Sequence, residues 1–233
     1  DVDGSQDNLF GGVGSDTLYG GPGTDNLYGG TGNDVIYSGM GNDGGSGIHG
    51  DEGNDMIFGE DGNDYLLGDE SNGIASDDTL YGGIGNDTLQ GYNGNDSFDG
   101  GVGIDIIFGG AQNDTADGGI GNDILYGGTD SDILSGGDDD DLIWGEAGND
   151  TLDGGAGNDT VYGGTEVDTL HGGTGNDILA GELGNAQAFG DEGNDTYFFG
   201  SIGGAAHSFD GGIGDTDRIV LFEGQPAGAI NTW

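Results

Sequence analysis

Cysteine is absent and proline occurs twice. No disulfide holds the chain together, which is compatible with an extracellular location. Positive charge is almost missing: one basic residue, Arg218, stands against 45 acidic ones, for a formal net charge of −44. That sign excludes nucleic acid as a partner, because phosphate binding needs Lys and Arg. No apolar run approaches spanning length, so no transmembrane segment is expected. The first residues show no basic-then-apolar leader. The chain opens inside a degenerate repeat (Asp3 to Phe10) and reads as a piece of a larger parent protein. Histidines 49, 171 and 207 are scattered and form no His-Glu-x-x-His motif, so a zinc site is not expected. Pairs of acids suited to hydrolysis can be drawn from any set of 45, and the chain reads as non-catalytic.

Glycine is abundant, at 60 of 233 residues. Glycine and acid at this level normally give disorder. A strict register argues otherwise. From Gly82 to Phe198 a Gly-Gly-x-Gly-Asn-Asp-x-apolar-x unit recurs without change of spacing. Gly82 to Gln90, Gly118 to Tyr126 and Gly154 to Tyr162 are three copies. A short fixed period means a solenoid. Earlier copies run from Gly11 to Ser46 and from Gly50 to Leu67. Gly47, Ile48 and His49 read as an insertion between them, and the unit beginning at Gly68 is lengthened near residues 69–76. Residues 1–198 thus form the repeat region, and 199–233 a degenerate last repeat and cap, because a solenoid must cover its final coil.

Each unit reads as a Gly-Asn-Asp turn followed by three residues pointing out, in, out. The inward slot holds residues such as Leu27, Ile57, Leu89, Ile107, Leu125, Ile143 and Leu170. Two units make one coil. Stacked coils give an all-β architecture of two parallel sheets with a thin apolar filling. At the usual strand spacing, about ten coils make a rod roughly 50 Å long. The charge calls for hard cations, calcium above all, whose shell of six to eight oxygens suits carboxylates and carbonyls. The expectation is disorder without metal and folding with it.

The unit resembles the repeats-in-toxin nonapeptide of secreted bacterial haemolysins, proteases, lipases, epimerases and adhesins. The resemblance covers most of the chain. It implies a right-handed parallel β-roll with calcium between neighbouring turns on each edge, export by type I secretion, and folding outside the cell or at its surface. It also implies that the sixth-position aspartate is the side-chain ligand, the other ligands being turn carbonyls. Here those aspartates are Asp16, Asp25, Asp34, Asp43, Asp55, Asp64, Asp78, Asp87, Asp96, Asp105, Asp114, Asp123, Asp132, Asp141, Asp150, Asp159, Asp168, Asp177 and Asp195. Ala186 takes that place in the unit beginning at Gly181, so a normal site is not expected there. Asp217 stands where a last site would close.

Several glycines are replaced. Asp51, Glu60, Asp69, Tyr92, Glu146, Glu182 and Asp191 take the second position, and Gln112, Asp130, Asp139 and Glu166 the fourth. Each either reshapes a turn or adds a carboxylate. The outward slots of one sheet carry Phe108, Tyr126, Trp144, Tyr162 and Phe198. Cross-coil stacking favours such a row in any case. Its length makes it a candidate interaction face for another copy of the chain, another domain, or an extracellular polysaccharide. The function expected is a calcium-binding structural region. The alternatives are a self-assembling surface or matrix component, and the tail of a secreted enzyme.

Overall fold

The computed structural model describes residues 4–45, 47–69, 75–199, 207–214 and 216–221. Among these, the regular structure is β-strand throughout, and no helix is long and apolar enough to cross a membrane. Successive strands alternate between two sheets of 12 and 13 strands. Every described pairing is parallel. One coil is two units, so Ile107 lies beside Leu125 and Leu125 beside Ile143. The chain is a β-solenoid of the expected two-sheet class.

The strands are longer than the sequence suggests. They span six residues, as in Thr88–Asn93, Ser97–Val102 and Ile106–Ala111. Each runs from the seventh position through Gly-Gly-x of the next unit, leaving only three residues to turn. The reason is the in-register stacking of the glycines themselves. Gly110 pairs with Gly128, so the backbone ladder continues where no side chain marks it.

Alternation along a strand buries three slots of each unit: the aspartate, the apolar residue two positions on, and the first glycine. Asp105, Ile107 and Gly109 point inward, whereas Ile106 and Phe108 reach solvent. The interior is therefore a single file of aliphatic side chains flanked on both edges by aspartates. The file runs from Leu18 and Leu27 through Ile107, Leu125 and Leu170 to Tyr197. Truncating one such residue to Ala removes about 2–5 kcal/mol.

Two features of the core differ from the expectation. Gly47, Ile48 and His49 are not an insertion. Ile48 is fully buried and pairs with Leu66, and His49 stacks on Tyr28. The extra residues lie just before them, after Asp43. Ala116, Ala186 and Ala188 also occupy the inward slot, too small to announce themselves as core. The proposed cap at 199–233 lies largely outside the described residues, as does much of the 69–76 segment. Ser208–Asp210 and Arg218–Leu221 each extend one of the sheets.

Candidate metal centres

The sixth-position aspartates stack into two ladders, one along each edge. The backbone N–H of Asp105 donates to Oδ1 of Asp123 at 2.7 Å, and that of Asp123 to Oδ1 of Asp141 at 2.7 Å. This ladder runs from Asp7 through Asp25, Asp43, Asp64 and Asp87, and on to Asp195 and Asp217. The opposite edge repeats the arrangement from Asp16 through Asp96 and Asp114 to Asp168. The fifth position builds a second, exposed ladder of opposite sense. There the side chain of Asn158 accepts the N–H of Asn176 in the following coil, at 3.1 Å. Asparagine thus does more than turn the chain: where it occurs in successive coils, it ties one turn to the next.

One oxygen of each sixth-position carboxylate is left over. In all nineteen aspartates named above, Oδ2 is buried and receives no hydrogen bond. Native interiors rarely leave such a group unsatisfied. The oxygen lies beneath the first glycine of its own unit. A Cβ on Gly118 would meet Oδ2 of Asp123 at 2.6 Å and the carbonyl oxygen of Gly136 at 2.5 Å. Glycine is needed there for space, not for backbone conformation.

No cation of the protein answers these carboxylates. Arg218 is the one basic residue, and it is exposed. Burial pushes the sixth-position carboxyls from Asp34 to Asp195 upward, against the lowering effect of the N–H each accepts; neighbouring acids add to the rise. Asp105 and Asp159 reach about 6, Asp123 and Asp132 about 7, Asp114 and Asp141 about 8, and Asp78 about 9. Anionic oxygens without donors, repeated along two edges and lined by carbonyls, fit a hard divalent ion. Among the described residues no three acidic or histidine side chains converge, so backbone oxygens would have to complete any shell.

The family of the RTX calcium-binding nonapeptide repeat matches this chain in nine segments: residues 3–36, 10–45, 48–75, 72–107, 99–134, 126–161, 135–170, 153–187 and 162–197. The chain belongs to this family. No curated protein matches it. The RTX repeat is calcium-binding and structural, and the two-sheet solenoid is its β-roll.

Ten of the eleven glycine replacements named above keep a positive φ. Asp51, Glu60, Tyr92, Gln112, Asp130, Asp139, Glu146, Glu166, Glu182 and Asp191 all hold φ between 47° and 82°. Side chains resist this region, at a cost on the order of 1 kcal/mol each. Asp69 is the exception.

The RTX ladder of the second edge ends at Asp168. Ala186 follows it, and its N–H donates to Nδ1 of His207 at 3.3 Å. The Tyr197 hydroxyl lies 3.3 Å from the same nitrogen. A histidine that looked scattered in the sequence takes the acceptor's place where the carboxylate is missing. Three residues more than a normal coil separate it from Ala186, so no nonapeptide spacing could reveal it.

The aromatic row is a stack. Phe108, Tyr126, Trp144 and Tyr162 lie nearly parallel, with ring centroids 5.1, 4.7 and 5.6 Å apart. These separations match the spacing of strands. Ala180 separates Tyr162 from Phe198, which stands apart from the stack. A second stack, Tyr19, Tyr37, Phe58 and Tyr81, runs along the other sheet in the first half of the roll. Within each stack the ring faces are covered by neighbouring rings, and edges meet the solvent.

Proposed function

We propose that the nineteen sixth-position aspartates bind calcium, and that the ions are what lets this chain fold. The supporting observation is the same at every position: a buried Oδ2 without a donor, in a chain whose single basic residue lies elsewhere. Each carboxylate from Asp25 to Asp195 is tied through Oδ1 to the coil before it. An ion held by Oδ2 and turn carbonyls would neutralise the charge that otherwise drives the coils apart. Because ordering one turn orders its neighbour, binding and folding become one cooperative process.

This chemistry suits a non-enzymatic module exported as a flexible chain from a calcium-poor cytoplasm and made rigid outside the cell. There it would space or anchor the remaining parts of a larger secreted or surface protein. The test is a calcium titration of the chain, with bound ions counted by equilibrium dialysis and order followed by circular dichroism. The reading requires several ions per chain and a steep joint transition. An ordered β signal with no bound ion would overturn it.

A further inference from the structure

The lengthened turn that begins at Gly68 departs from every other turn of the roll. Its second position is Asp69, its fourth Ser76 and its sixth Asp78. Of the other acids at the second position, Glu60, Glu146 and Glu182 are exposed and Asp51 and Asp191 half-buried, all with positive φ. Asp69 does not adopt positive φ and is only 2% exposed. Its carboxylate lies within the protein.

The contacts of Asp69 are half complete. The Ser76 hydroxyl, itself buried, donates to Oδ1 at 2.6 Å. Oδ2 is buried and receives no hydrogen bond. Oδ2 of Asp78 in the same turn is likewise without a donor, and it lies beneath Gly68, the residue that precedes Asp69. Burial raises the carboxyls of Asp55, Asp78 and Asp96, and the nearby Asp69 charge adds to each. Among the described residues, Asp69 is the only buried aspartate outside the sixth position, so this turn brings two inward carboxylates.

We propose that Asp69 and Asp78 together hold an additional calcium ion, outside the nonapeptide pattern. The proposal rests on the calcium reading above. Two carboxylates, the Ser76 hydroxyl and backbone carbonyls supply the oxygen-rich shell calcium accepts. Greater ligand charge also makes the site tighter than its neighbours. Magnesium fits poorly, since it holds its waters and demands a small octahedral cage. The site would fill first, early in the chain, and fix the register of the coils on either side of the insertion.

The test compares the whole chain with Asp69→Asn, which keeps the shape, and Asp69→Gly, which restores the residue usual in the repeat. Radioactive calcium is counted by equilibrium dialysis. The expected result is one ion fewer per chain, loss of the tightest binding step, and a folding midpoint at about tenfold higher calcium. Equal counts and midpoints in variant and parent would overturn the proposal while leaving the ladder sites intact. A parent chain that binds no calcium would instead remove the general reading. Should neither variant fold, anomalous diffraction from calcium-grown crystals of the parent decides. An ion bonded to Oδ2 of Asp69 supports the site, and an ordered Asp69 without one refutes it.

Discussion

Asp123 faces two ways. Its Oδ1 accepts the backbone N–H of Asp105 at 2.7 Å, while its Oδ2 lies buried without a donor. The first contact is structural and needs no metal; the second oxygen needs a cation. These two roles are separable by mutation. Asp123→Asn keeps an acceptor for Asp105 but removes the charge, so it should raise the calcium needed for folding with little loss of order at saturation. Asp123→Ala also strands the Asp105 N–H, at a further cost of about 1–3 kcal/mol. Calcium titrations followed by circular dichroism separate the variants. Identical curves for both would show that Oδ1 carries no structural weight.

Chelation should convert the rod to an expanded chain, with loss of the β signal and a larger hydrodynamic radius. Restoring calcium should reverse both. A chelated chain that keeps its compact size would contradict the ionic account.

The pH response should change sign with calcium. In the metal-free roll the buried carboxyls are raised by desolvation, to about 6 for Asp105 and about 9 for Asp78. A raised carboxyl favours the folded state below its ordinary value, and that contribution is lost as pH rises through the folded one. The calcium-free chain should therefore be more compact at pH 4 than at pH 8, with aggregation as protonation removes repulsion. The calcium-loaded chain should lose ions over the same descent, because a protonated carboxyl cannot ligate. Circular dichroism with ion counting at both pH values checks the two directions.

Backbone relief should stabilise the roll. Gln112 holds φ at 82° and carries no charge. Gln112→Gly should gain about 1 kcal/mol in the calcium-loaded state. Urea unfolding at fixed calcium measures it, and a destabilised variant would show that the Gln112 side chain contributes more than its strain costs.

The end of the second ladder should depend on an imidazole. His207→Ala removes the acceptor for the Ala186 N–H and should loosen the last coils by about 1–3 kcal/mol. Burial lowers the His207 pKa. Its contribution is therefore present above the ordinary histidine value and lost as pH falls through the folded one. Limited proteolysis near residues 186–198 should show faster cutting in the variant. Equal cutting rates would assign the contact no stabilising role.

The stack at Trp144 should act on stability. Trp144→Ala uncovers faces of Tyr126 and Tyr162 and should cost about 1–3 kcal/mol. Denaturant unfolding at saturating calcium gives the value.

The spacing of nine residues, the aspartate in each sixth slot and the apolar residue two places on were enough to determine a two-sheet solenoid with charged edges. A period repeated in register admits few other folds, and one basic residue among 45 acids leaves the charge to be met from outside. The tertiary structure decided what depends on contacts between coils. Tyr19 and Tyr37 meet because they are one coil apart, and Ile48 joins the core because extra residues before it restore the register. Asp69 lies buried beside an insertion, and His207 takes a carboxylate's place as acceptor for Ala186, 21 residues away. The repeat determines geometry only where it is obeyed. At an insertion or a coil end, the position of a side chain is set by neighbours at sequence distances the period does not specify.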